Sequence, residues 1–204
     1  MKKLIFGLLI LTSTKGFSAY IGTHLPTLIE KSKIIIYAKI ISVDKESFKI
    51  VAINKIKSTY KSDTLTIQKF KDWSCSSRYS KYDVGQEAVF FLEFNKHNKL
   101  QTIGAANEGE MIVKSDSAFV PDYEQKIFPT KKVDFISKYA KFIVVDLKTV
   151  IQGIKIYLDN AEQIDKEVKA NNDKTVVYQY SIIDKLPKNY FLDIVLDQKQ
   201  RGLV

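Results

Sequence analysis

The stretch Glu87–Phe94, EAVFFLEF, constrains this chain more than any other. Residues 88–92 are apolar without a break. A strand sends successive side chains to opposite faces, so an unbroken apolar run is stable only where both faces are covered. Asp83-Val84-Gly85-Gln86 reads as the turn that feeds this run. The run is therefore expected to be a central strand of a barrel. Before it lies the loop Trp73–Gln86, which holds the chain's one tryptophan and its one cysteine, Cys75.

Other β-patterned segments surround this strand. Ile34–Val43 is rich in β-branched residues, and Asp44–Ser47 is a polar reversal. Phe48–Ile56 then places Phe48, Ile50, Ala52 and Ile56 on one parity and Lys49 and Lys55 on the other, which predicts a long antiparallel hairpin. Thr64–Phe70 alternates again, with Leu65 and Ile67 inward. Asn95–Asn98 turns the chain, and Lys99–Ile103 and Glu110–Val113 bracket Gly104 and Gly109 in what reads as a bulged or bent return strand. Upstream, Pro26, Thr27 and Glu30 predict one helical turn, Thr27–Ser32, closed by a capping box. Five or six short strands within residues 33–114 predict a small antiparallel barrel or sandwich.

Past residue 114 the pattern changes. Residues 115–145, with Pro121 and Pro129, read as a linker with possible extra strands near Ser117–Val120 and Lys141–Val145. Asp146 reads as an N-cap. Leu147, Val150, Ile151, Ile154, Tyr157, Leu158, Ala161 and Val168 then share one face at helical spacing to about Lys169. Gly153 inside this helix costs about 1 kcal/mol relative to Ala, which predicts a close contact there. Thr175–Asp184 fits strand or helix, and Pro187 and Gly202 frame a last helix at Lys188–Gln200. The apolar faces of these helices are expected to pack within the protein.

Residues 1–19 have the shape of a secretory signal peptide. Met1-Lys2-Lys3 is basic, Leu4–Leu11 is an apolar run of eight residues, and Thr12–Ala19 is small and polar. No cysteine follows the apolar run for lipid attachment, and no later segment reads as a membrane span. The expected location is secreted or periplasmic. Removing Lys2, Lys3 and Lys15 from 32 basic residues leaves 29 against 23 acidic ones. Apart from Arg78 and Arg201 the basic charge is lysine, which fits a solvated surface better than a nucleic-acid reader. A lone Cys75 forms no intramolecular disulfide, so stability rests on core burial.

Taken in order, the segments LIEKSKIIIYAKIISV (28–43), FKIVAINKIKS (48–58), DTLTIQKF (63–70), Cys75, YDVGQEAVFFLEF (82–94) and GAANEGEMIV (104–113) form a recognisable series. It resembles the netrin-like, or tissue-inhibitor-of-metalloproteinase-like, OB-fold, and looks most like its bacterial exported members. With the resemblance covering about residues 27–114 and the helical spacing beyond Asp146, the expected fold class is mainly β with C-terminal helices (α+β). A five- to six-stranded OB-like antiparallel barrel at residues 20–114 is followed by a helical extension at 146–204. The animal inhibitors of that group reach a protease's zinc through an N-terminal cysteine. This mature chain would begin near Ala19-Tyr20-Ile21, so no functional residue is carried over.

Chemistry is sparse. His24 and His97 lack ligand partners at metal spacing, so no metal or other cofactor is expected. A Cys75–His97 dyad has no surrounding signature of a nucleophilic enzyme. Glu108 and Glu110 are expected to be exposed turn charges rather than a catalytic pair. An export signal argues against nucleic acid as partner. The candidate partner-binding loop carries Trp73, Arg78, Tyr79 and Tyr82. The expected function is a non-enzymatic binding module for an unknown protein or glycan outside the cytoplasm. Inhibition of a metalloprotease, or weak Cys75-dependent catalysis, are the alternatives.

Overall fold

A computed structural model describes residues 22–72, 78–106, 108–121, 131–132, 141–173 and 182–202. The expected signal segment, most of Thr175–Asp184, Trp73 and Cys75 lie outside these residues. Five strands close a barrel: β1 (Ile34–Val43), β2 (Ser47–Lys57), β3 (Thr64–Gln68), β4 (Glu87–Phe94) and β5 (Leu100–Thr102). Their order is β1-β2-β3-β5-β4 with β4 returning to β1, and β3 and β5 run parallel. This closed five-stranded barrel is compatible with an OB-like fold. The β1–β2 ladder shifts register at three places between Ile35 and Ser42. Such irregularities bend a strand, which lets β1 pair with β2 on one edge and β4 on the other.

The apolar run of β4 has the covering it requires on both faces. Ala88, Phe90 and Leu92 point into the barrel beside Ile36, Phe48, Ile50 and Ile67. Val89 and Phe91 point outward into a second, larger cluster. β1 divides in the same way, with Ile34, Ile36, Ala38 and Ile40 inside and Ile35 outside.

The larger cluster belongs to a sheet that continues from β4. It is formed by β6 (Glu110–Lys114), β7 (Ser117–Pro121), β8 (Lys131–Lys132) and β9 (Lys141–Asp146), in the order β4-β6-β7-β9-β8. The edge of β4 opposite β1 is shared: residues 92–94 pair with β5 and residues 87–90 with β6. The chain crosses between them through a tight turn. A Cβ at Gly109 would lie 2.6 Å from the Ile103 carbonyl oxygen, and Gly104 has φ +76°. The bent return strand read from the two glycines is thus two short strands joined by this turn.

Three helices cover one face of the extended sheet: α1 (Leu25–Lys31), α2 (Leu147–Asp173) and α3 (Tyr190–Gln200). Val150, Ile154, Tyr157, Ile164 and Val168 of α2 and Phe191, Ile194 and Val195 of α3 pack with Met111, Val113, Val120 and Ile143. Asp146 caps α2, its Oδ1 accepting the Thr149 N–H at 2.9 Å. The close contact expected at Gly153 is present: a Cβ there would meet Asn189 Oδ1 at 2.7 Å and Leu192 N at 3.1 Å. Asn189 is the N-cap of α3, accepting from Leu192 N–H, and its amide donates to Thr149 O of α2 at 3.0 Å. The last helix therefore starts two residues later than Pro187 suggested.

The capping box expected at Thr27 and Glu30 does not form. The helix begins at Leu25, with His24 as N-cap and no side-chain cap bond. Other elements satisfy its ends. Gln198 Oε1 of α3 accepts the Leu25 N–H at 2.9 Å, and Lys57 Nζ of β2 donates to Ile29 O and Glu30 O. Glu30 instead binds Lys199 Nζ at 2.6 Å and accepts from the Tyr157 hydroxyl, joining the three helices.

Candidate functional site

The segment 78–86 enters β4 and lies across one end of the barrel. It is organised by Arg78, whose side chain is 4% exposed against 0% for its partner Glu110. Arg78 Nη2 donates to Glu110 Oε2 at 2.8 Å, and Nε donates to the same oxygen at 3.1 Å. Nη1 reaches the Ser80 and Lys81 carbonyls at 2.8 and 3.0 Å, and Nη2 reaches the Tyr79 hydroxyl and Gln86 Oε1 at 2.9 and 3.2 Å. One planar guanidinium thus ties β6 to the loop backbone, a use for which Arg's rigid fork suits it and a lysine does not.

Aromatic rings complete the support. The Arg78 guanidinium lies 3.8 Å from the centroid of Tyr82 and 4.3 Å from that of Tyr79. Tyr82 stacks on Phe48 at 4.6 Å, and Phe48 packs on Phe90 in the barrel interior. The Tyr82 hydroxyl accepts the Phe70 N–H at 3.2 Å and hydrogen-bonds Glu110. A column of stacked groups therefore runs from the barrel core to the loop. At the other end of the loop, Asp72 Oδ1 accepts the Arg78 N–H at 3.0 Å, so the residues flanking 73–77 are bonded to each other.

The electrostatics follow from burial. Burial pushes both tyrosines' phenols up, with Glu110's charge adding to it. Burial likewise pushes the Glu110 carboxyl up, against the pull of Arg78 and Tyr82. Burial opposes the charge on Arg78, but Glu110 outweighs it and holds the guanidinium cationic.

The structure brings Arg78, Tyr79 and Tyr82 together, with both tyrosines half-buried. Trp73 lies outside the described residues. Glu108 and Glu110, expected as exposed turn charges, are buried at 5% and 1% exposure. Glu108 Oε2 caps the glycine turn by accepting the Ala105 N–H at 3.1 Å, and Glu110 answers Arg78. The role of Glu110 went unread, although a signal existed. Arg78 is one of two arginines in a lysine-rich chain, and the bidentate, stackable guanidinium beside two tyrosines in sequence suits pairing with a carboxylate.

Two open clefts flank the loop. One, of about 390 Å³, lies between Tyr79, Gln86 and Glu87 on one side and Ile112 and Lys114 on the other. The second, of about 540 Å³, lies between Lys69, Asp72, Lys81 and Asp83, with Tyr82 as a wall. His97 is exposed in the β4–β5 turn, and no group of three His, Cys, Asp or Glu residues among the described residues is placed to hold a metal ion. No described helix is long and apolar enough to cross a membrane. Compared with models of known protein families and with curated proteins, the chain matches none.

Proposed function

We propose that the chain is an exported, non-enzymatic binding protein that presents the loop Trp73–Tyr82 to a protein or glycan partner outside the cytoplasm. The observation that carries this reading is the anchor beneath the loop: Arg78, paired with buried Glu110 and stacked on Tyr82. Residues 78–82, held from within, lose little freedom on binding, so more of their contact energy appears as affinity. In this reading Arg78 is a positioning residue. Trp73, Tyr79 and Tyr82 make the contacts, and the two flanking clefts receive the partner's side chains or sugar rings. Export rests on the pattern of residues 1–19, and kinship with netrin-like barrels rests on the order of the strands and turns.

The test uses the tagged mature chain, incubated with the proteins and glycans outside the cytoplasm of its own cell and cross-linked. A ligand captured by the wild type should be lost with Trp73→Ala/Tyr79→Ala at a temperature well below the unfolding transition of both chains. Identical capture by both would remove the loop assignment.

A further inference from the structure

β2, β3, β5 and the end of β4 frame a cleft of about 390 Å³. The rings of Tyr60 and Phe94 line it as a contacting pair, with centroids 6.1 Å apart and planes inclined at 32°. Tyr60 is 40% exposed. An exposed ring on a loop ordinarily loses entropy when a ligand fixes it, yet here the loop is already fixed. Lys55 Nζ donates to Tyr60 O at 3.2 Å and Lys61 O at 2.9 Å, and pairs with Asp63 at 2.8 Å. The Tyr60 N–H is held in turn by Ser58 Oγ at 3.1 Å.

The floor is polar and oriented. Asn95 Nδ2 donates to Gln68 Oε1 at 3.2 Å, which fixes the Gln68 amide with its N–H donors left over for the cleft. Among the described residues, the hydroxyls of Ser47 and Thr66 and the amide of Asn98 take no protein hydrogen bond there. The Asn95 carbonyl oxygen of the side chain holds the turn by accepting from His97 N–H and Lys99 N–H. Among the described residues lining the cleft, Lys99 is the one charged side chain and none is a carboxylate.

We infer that this cleft is a binding site for a neutral pyranose unit of an oligosaccharide. The negative face of Tyr60 suits the electropositive C–H face of a sugar ring. Amide and hydroxyl groups without protein partners suit its hydroxyls. A volume of this size lies in the range of small-ligand pockets. A nucleic-acid strand would need a track of cations beside the rings, and one lysine does not supply it. The site is separate from the loop at 78–86, and its failure leaves that proposal standing.

The experiment titrates the mature chain with cellohexaose, maltohexaose, xylohexaose, mannohexaose and chitohexaose to about 10 mM, following the ring resonances of Tyr60 and Phe94 by NMR. At least one sugar is expected to shift both rings along a saturating curve. Tyr60→Ala should weaken that binding about tenfold or more. Tyr60→Phe should retain it, and Tyr190→Ala on α3 should leave it unchanged. The inference is overturned by the absence of a saturating shift with any of the five. It is equally overturned by an affinity indifferent to Tyr60→Ala, or by saturation with hexathymidylate while the sugars stay silent.

Discussion

A guanidinium with 4% of its side chain exposed must have its charge answered where it sits, and Glu110 answers it. Removing one member of such a pair strands the other in a low-dielectric site. Glu110→Met and Arg78→Met are each expected to destabilise the fold by about 3–5 kcal/mol. The double variant Arg78→Met/Glu110→Met should cost clearly less than the two singles together, because no unpaired charge remains. Urea unfolding of the four proteins measures this coupling, and strict additivity would show that the pair does not anchor the loop. Glu87 provides a second test on β4. Its carboxylate pairs with Lys39 at 2.8 Å and accepts from the Tyr37 hydroxyl at 2.5 Å. These bonds, that to Lys39 first, hold its carboxyl below the ordinary value of 4.5. A carboxyl depressed in the folded state contributes stability above its unfolded value and loses it as pH falls through the folded value. The melting temperature should therefore decline below about pH 4.5, and Glu87→Gln should flatten that part of the profile.

At the level of elements, the turn between β6 and β7 carries two consecutive left-handed residues that are not glycine. Ser115 and Asp116 have φ +50° and +58°, both left-handed, as a two-residue hairpin of this twist requires. Side chains at such positions cost about 1–2 kcal/mol relative to glycine. Asp116→Gly should raise stability by about 1 kcal/mol, seen as a Tm higher by about 2–4 °C. The Asp116 carbonyl that accepts Leu147 N–H at 2.8 Å is backbone and survives the change. A lower Tm would mean that the Asp116 side chain holds the turn by contacts of its own. Elements were legible where the signal is local and periodic. The alternation at Leu65 and Ile67, the unbroken run of β4, the Asp146 cap and the need for Gly153 can all be read from neighbours in sequence. What was not legible depends on partners far along the chain. Glu30 fits a local capping box by spacing, yet Tyr157 and Lys199 claim it. Glu110 looks like a turn residue until Arg78, 32 positions earlier, is brought beside it. The loop site is half legible for the same reason: Arg78, Tyr79 and Tyr82 are close in sequence, and their support is not.

For the molecule as a whole, the decisive fact is that β1 and β4 belong to two hydrophobic clusters at once. Their inner side chains fill the barrel, and Ile35, Val89 and Phe91 point into the layer of helices. Without α2 and α3 these three, together with Ile29 and Met111, would lose Val150, Ile154, Tyr157, Phe191, Ile194 and Val195 from the cluster they share. Fully buried side chains of this size contribute about 1.5–3 kcal/mol each. Five of them are comparable to the entire net stability of a domain, about 5–15 kcal/mol. The barrel is therefore expected not to outlast its helical cover, although it is a closed sheet. A chain ending at Asp146 should lack the dispersed amide spectrum of a folded barrel, and Ile154→Ala in α2 should lower the unfolding midpoint of the barrel as much as that of the helices. Hydrogen exchange at β2 and β3, followed beside helical circular dichroism through the same urea series, measures both at once. Coincident transitions are the expected outcome. A truncated chain that keeps protected β2 and β3 amides would show instead that the barrel folds alone and that the helices dock on it afterwards.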